Sequence, residues 1–375
     1  MLAFENLTIT LLVAMGVALV LCLLATPPVK WFAEKVGAID VPKDDRRVHA
    51  TPIPRLGGLA IFIAFVISVV IFADISFGTQ GILLGSVIIV IVGVVDDIVP
   101  LKPWQKFAAQ ILAALVAILH GVVIDFVSNP LPVGETYYLI NLGIFAIPIT
   151  ILWIVGITNA VNLIDGLDGL AVGVSTIASL TMLAVALFVS ADTNVAIILA
   201  ALAGACIGFL PYNLNPAKIF MGDTGALLLG FLLSTLSIEG LFKFYAIISF
   251  AVPFMALALP IFDTTFAILR RIARGQSPMR PDRGHLHHRL LDWGFSHKQA
   301  VFIIYLISAT LGLLAVVMTS SGPARIVFAF LAFLLVVATV LLVFNGNRFK
   351  KKKAHAEPET KEGEEKEGGA EHETD

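Results

Sequence analysis

The residues of this chain that could do chemistry fall in a few short segments. Gly93-Val94-Val95-Asp96-Asp97-Ile98 puts two adjacent acids at the close of an apolar run, ahead of Lys102 and Lys106. Acids at a helix C-terminus oppose its dipole, so the pair calls for a compensating cation; a merely solvated helix end is the plainer alternative. Asn159 to Gly169 places Asn162, Asp165 and Asp168 at spacing three. On a helical turn that spacing spreads them over about 120° of one face. An Asp N-cap would account for one of these acids, but not for the set. Tyr212 to Gly225 carries Asp223 in a loop that enters another apolar run. Such a helix start offers N–H groups to phosphate, and Asp223 offers the hard oxygen that magnesium prefers; an ordinary N-cap is the alternative. Arg280 to Arg289 packs three arginines with His285, His287 and His288. Guanidinium pairs with phosphate oxygens bidentately, so the segment fits a diphosphate clamp. Attraction to lipid headgroups would explain the arginines but not His285-Leu286-His287-His288, and zinc would need a fourth ligand that the segment does not supply.

If these carboxylates converge, two of them about 5 Å apart repel by roughly 3 kcal/mol at an effective dielectric near 20. A cation must offset that. Oxygen-only ligands beside a phosphate point to Mg2+, with Mn2+ as a substitute. Asp45 to Gly58 adds a fifth segment, rich in Pro and Gly, which either serves the site or only bends the chain back. Asp263 is costly in lipid and is expected to face protein or the site.

The elements that must position these residues are membrane helices. The 375 residues are 58% hydrophobic and only 14% charged, with a mean hydropathy of +0.93, outside the range of soluble domains. A span needs about 20 apolar residues, and such runs give about eleven candidates, centred near Ala18, Val66, Ile88, Leu115, Ile149, Leu180, Leu202, Leu232, Met255, Leu311 and Leu335. Lysine and arginine stay cytoplasmic. One phase of the spans leaves only Lys243 and Arg325 on the far side, which sets the N-terminus outside and the C-terminus and every segment above in the cytoplasm. Val122 to Leu142 reads as a short external β-hairpin. The fold class is therefore all-α and polytopic. Residues 1–345 form one transmembrane domain, and 346–375 a charged tail unable to bury a core. Cys22 and Cys206 lie in apolar runs, which excludes a disulfide framework. No cleavable signal peptide is expected before the first run, and no nucleic-acid partner.

Taken together, Val95-Asp96-Asp97, Asn159 to Gly169, Phe220 to Gly225 and Asp282 to His288 resemble the polyprenyl-phosphate N-acetylhexosamine-1-phosphate transferases, the superfamily that includes the phospho-MurNAc-pentapeptide translocases. The resemblance runs from the first helix to Lys298. The span count and the Asp-Arg-x-His-x-His-His form look like the N-acetylglucosamine branch that starts teichoic acid or O-antigen-type glycans. The resemblance implies transfer of a sugar 1-phosphate from a UDP-N-acetylhexosamine to undecaprenyl phosphate with release of UMP, in the bacterial cytoplasmic membrane, by an enzyme expected to form a homodimer. It implies that Asp223 and Asn162 touch Mg2+, and that Asp96, Asp97 and Lys106 stand beside the lipid phosphate. Asp165 and Asp168 would serve the nucleotide or metal side. Arg283, His285, His287 and His288 would hold the diphosphate, with His287 among the catalytic groups and Asn159 among the substrate-binding ones. A secondary transporter is the rival reading, and a lipid-diphosphate phosphatase a nearer one; transporters place their sites near mid-membrane on broken helices, whereas these acids lie at span ends.

Overall fold

Backbone placed in hydrocarbon must satisfy its own hydrogen bonds, so long apolar runs become helices. The computed structural model describes residues 2–41, 52–128, 139–188, 192–242, 253–276 and 284–344. Twelve helices are named here in chain order: α1 Leu2–Val36, α2 Gly57–Phe72, α3 Phe77–Ile98, α4 Pro103–Leu119, α5 Ala146–Ile164, α6 Leu170–Phe188, α7 Thr193–Asn213, α8 Gly222–Ser237, α9 Ala258–Ala273, α10 Leu286–Asp292, α11 His297–Thr319 and α12 Gly322–Phe344. Among the described residues seven helices are long and apolar enough to cross a membrane, and α2 and α4 are shorter apolar helices. The protein is thus an all-helical, multi-span membrane protein.

Local signals set the boundaries. Ser76 caps α3 by accepting from Thr79 N at 3.2 Å, Pro103 opens α4 where its missing N–H costs nothing, and Ser296 and Gln299 form a capping box on α11. α8 runs on into a π-helical stretch, Ile238–Phe242. The expected span centred near Met255 falls on one turn of helix, 253–256, just upstream of α9.

α8 is the central stave. It packs against α2, α3, α5 and α6, and Leu227, Leu228, Leu229, Phe231, Leu232 and Leu236 are all buried. Lipid gives little hydrophobic drive between helices, so close approach of backbones supplies the packing. Small residues allow it. A Cβ at Gly58 would run into the Gly225 backbone, one at Gly93 into Thr224, and one at Gly230 would lie 2.5 Å from Thr158 Cα. On the far side α1 packs on α7, and α11 on α6; α12 is mostly exposed, as a lipid-facing helix must be.

Two small antiparallel pairs complete the fold. β1 (Ile39–Asp40) pairs with β2 (Ile53–Pro54), and β3 (Phe126–Ser128) with β4 (Leu139–Asn141). The second pair is the expected hairpin; its turn lies outside the described residues. So do Asp45 to Ala50, the stretch from Ser277 to Arg283, and the tail after Phe344.

Candidate active site

The helix ends that carry the polar segments meet at one end of the bundle. α3, α5 and α7 finish there, and α4, α6, α8 and α11 begin there. Between them lies a cavity of about 390 Å³, whose wall includes Asp97, Asn162, Asp165, Asp168, Asp223, Arg55 and His297. That volume falls in the range of small-molecule sites.

Asp97 forms its floor. Its Oδ1 accepts from Asp223 N at 3.0 Å, and its Oδ2 from Thr224 N at 3.0 Å and Thr224 Oγ1 at 2.6 Å. The acid that opposes the dipole of its own helix is therefore held by the N-terminus of α8, where a negative charge is favoured. This corrects the expectation that those N–H groups await a phosphate: the Asp97 carboxylate occupies them. Arg55 reaches the same residue, with Nε donating to the Asp97 carbonyl at 3.1 Å and standing 3.8 Å from its Oδ1.

Asp96 and Asp223 share Lys106. The ammonium lies 3.0 Å from Asp96 Oδ2 and 2.5 Å from Asp223 Oδ2, while Asp96 Oδ1 accepts from Leu101 N at 2.6 Å. The cation demanded by the acid pair at the end of α3 is thus in part a lysine one turn into α4. Asp223 is no N-cap, since Met221 holds that position.

The Asn162, Asp165 and Asp168 set does not share a helical turn, contrary to expectation. α5 ends at Ile164 because Asp165 leaves helical geometry with ψ 55°, and Gly169 turns the chain at φ +77°. Asp168 pins the neighbouring loop, its Oδ2 accepting from Asn215 Nδ2 at 2.9 Å and Ala217 N at 3.1 Å. Asn213 clasps the same turn by accepting from Gly169 N and donating to the Ile219 carbonyl. Asn162 and Asp165 are different: among the described residues neither side chain has a hydrogen-bond partner, and both line the cavity. The protein enclosing Asp165, and then the charges of Asp223, Asp97 and Asp168, push its carboxyl up to about 8.

The histidine run packs beside the cavity. His285 Nδ1 lies 2.9 Å from Asp263 Oδ2, and Asp263 Oδ1 accepts from Leu286 N at 2.8 Å, so Asp263 faces protein as expected. His287 stacks on His285 at 5.9 Å and meets His288 at 4.2 Å. Its ring abuts Gly166, where a Cβ would come 2.5 Å from Nε2, which brings it to the Asp165 loop. Burial, and then the neighbouring His288, push His287 down to about 3. Asn159 is not at the cavity; it pairs with the Gln110 side chain of α4 at 2.5 Å and with the Val155 carbonyl. Arg283 lies outside the described residues.

Asn213, Thr224 and His297 were not singled out as site residues in the sequence, because the roles of Asn213 and Thr224 rest on partners far along the chain. Asn213 and Thr224 sit in segments marked by other residues, whereas His297 carries no local signal. The first loop serves as a clasp: Gly57 N and Gly58 N donate to the carbonyls of Phe220 and Met221, and Phe220 N to that of Pro54.

Residues 79–241 match the model of a family described as glycosyl transferase family 4. A "Probable undecaprenyl-phosphate N-acetylglucosaminyl 1-phosphate transferase" of Bacillus subtilis is 43% identical over 347 residues, covering 91% of this chain and 95% of that protein. A "Decaprenyl-phosphate N-acetylglucosaminephosphotransferase" of Mycobacterium tuberculosis is 37% identical over 77% of this chain and 78% of its own. A "Phospho-N-acetylmuramoyl-pentapeptide-transferase" of Staphylococcus aureus is 34% identical over 70% and 85%. With identity at that level along nearly its whole length, the chain belongs to glycosyl transferase family 4.

Proposed function

We propose that this protein transfers an N-acetylhexosamine 1-phosphate, GlcNAc-1-phosphate first among the candidates, from its UDP-sugar to undecaprenyl phosphate. UMP is released, and the product lipid opens the membrane stage of a cell-envelope glycan of teichoic acid or O-antigen type. The observation that carries the reading is the cavity at one end of the bundle, where acids from the ends of α3 and α5 and the start of α8 converge with His297 of α11, and where His287 packs against Gly166 of the wall. A pocket of acids and imidazoles at a bundle end suits phosphates presented at the lipid boundary; a transporter site would lie nearer mid-membrane.

The proposed topology has eleven crossings, with the N-terminus outside and the site and C-terminus cytoplasmic. Residues 1–345 act as the transferase unit. The lysine and arginine bias supports this orientation.

Lys106, with Asp96, stands where a lipid phosphate would approach. A phosphate monoester with a second pKa near 6 is already largely dianionic at pH 7, so its oxygen attacks the sugar-bearing β-phosphorus in line without a general base. The bond from that phosphorus to the bridging oxygen breaks, and the electron pair leaves with UMP. The rival mechanism would make Asp97 a covalent nucleophile; direct attack is favoured because the Asp97 oxygens already accept three hydrogen bonds from the start of α8, which lowers their nucleophilicity.

The donor set fits a magnesium ion. Among the described residues no group of three acid, histidine or cysteine side chains is arranged for a metal, but magnesium is commonly held by one or two carboxylates together with substrate phosphates and water. Asp223 and Asn162 would hold it, next to the unpartnered carboxyl of Asp165. When bound it would offset charge on the diphosphate and the departing UMP.

The test is purified protein in nanodiscs with Mg2+, undecaprenyl phosphate and UDP-GlcNAc, scored for UMP and sugar lipid. Turnover should need all three, vanish with chelator and fall more than a hundredfold in Asp223→Ala. Labelled UMP should not exchange into UDP-GlcNAc without the lipid acceptor. Exchange would establish a covalent intermediate, and hydrolysis without lipid product would make the protein a phosphatase.

A further inference from the structure

The histidine run packs beside the cavity, but a different histidine lines it. His297 opens α11, five residues beyond the short helix that carries His287 and His288, and it lines the cavity with Asp165, Asp168 and Asp223. Both its ring nitrogens are buried, and neither has a hydrogen-bond partner. An imidazole always presents at least one N–H, and leaving such a group buried and unpaired carries a substantial desolvation cost. A residue kept only for packing would be better served by an apolar ring.

The position is also rigidly built. The Ser296–Gln299 capping box fixes the first turn of α11. Eight residues on, the Tyr305 hydroxyl donates to the Gly169 carbonyl, and its ring lies where a Cβ of Gly173 would be. α11 is thereby locked to the start of α6 and to the loop that carries Asp165 and Asp168. His297 shares its cavity with Asp165 and Asp168, the acids that the resemblance gives to the nucleotide or metal side, whereas Lys106 and Asp96 are not among the lining residues.

We infer that His297 contacts the substrate, donating a hydrogen bond to a phosphate or hydroxyl oxygen of the sugar nucleotide held in the cavity. The inference rests on the transferase reading above.

His297→Phe keeps a ring and removes both nitrogens; His297→Gln keeps a donor and an acceptor. Each is purified as the full chain, and three quantities are read: the KM for UDP-GlcNAc, the KM for undecaprenyl phosphate, and the thermal midpoint without substrate. A hydrogen bond to a charged group lost from the complex corresponds to roughly a tenfold to hundredfold weakening. His297→Phe should raise the UDP-GlcNAc KM by that factor, leave the lipid KM within about twofold and keep or raise the thermal midpoint. His297→Gln should recover most of the KM. An unchanged UDP-GlcNAc KM, or a fall in thermal midpoint with no change in KM, overturns the inference. UDP-GlcNAc binding by calorimetry without lipid acceptor should weaken in parallel for His297→Phe. That arm keeps the two readings apart: absence of turnover in the unaltered protein refutes the transferase proposal, whereas equal UDP-GlcNAc affinity of the two proteins refutes the role of His297.

Discussion

Asp97 shows how one side chain can be committed by its surroundings. Its carboxylate takes two backbone N–H groups and a hydroxyl from residues 126 and 127 positions away. Asp97→Asn replaces one acceptor oxygen by an amide that faces a donor, and each buried donor left unpaired costs about 1–3 kcal/mol. The expected result is a clear drop in thermal midpoint together with loss of turnover beyond a hundredfold; a variant with the unaltered midpoint would show that the α8 start does not depend on this carboxylate. His287 is instructive in the opposite sense, since it is buried neutral. Its folded pKa, about 3, lies below the ordinary 6.5, so the unfolded chain binds the extra proton between those values. Stability is therefore fully present above about pH 6.5 and is lost as pH falls through that window. The thermal midpoint should decline more steeply from pH 6.5 to 5 in the unaltered protein than in His287→Gln, and parallel profiles would count against the assignment.

At the scale of elements, α8 decides the geometry of the site because backbone, not side chain, sets its distances to α2 and α3. Gly58 meets Gly225 with no room for a methyl group, and neither partner has a side chain that could swing away. Gly58→Ala should cost at least about 1–3 kcal/mol as an overpacked contact and lower activity by displacing Asp223. Gly156→Ala, with nothing within 4 Å of the added methyl, is the control and should leave both unaltered. Equal thermal midpoints for the two variants would exclude the close approach as the organising contact. The clasp between residues 54–58 and 220–221 acts at the same level: it gives the Pro-Gly end of the first loop a backbone partner and delivers Arg55 to Asp97.

For the whole molecule, the separation of charge along the chain makes a statement about sidedness that labelling can read. Cys22 and Cys206 are both fully buried, so the unaltered protein gives a low background with a membrane-impermeant maleimide. Ser321→Cys, at the exposed turn between α11 and α12, should label in intact cells. Gln276→Cys, just beyond α9, should label only after the membrane is opened. The reverse pattern would invert the proposed orientation. Much of this architecture was legible in one dimension. Helical spans and the short hairpin follow from backbone desolvation and turn chemistry, which act on each stretch of chain by itself. The polar segments were legible for the same reason, because a carboxylate beside lipid is expensive wherever it occurs. Tertiary structure alone decided the partnerships: that Lys106 lies between Asp96 and Asp223, that Asp97 closes the start of α8, that Asp168 holds a loop while Asp165 is left open to the cavity, that Asn159 turns aside to Gln110, and that His297 joins the wall. Hydrogen bonds and burial are set by distances of a few ångströms between residues ten to more than a hundred positions apart, and nothing in the local order of amino acids carries those distances.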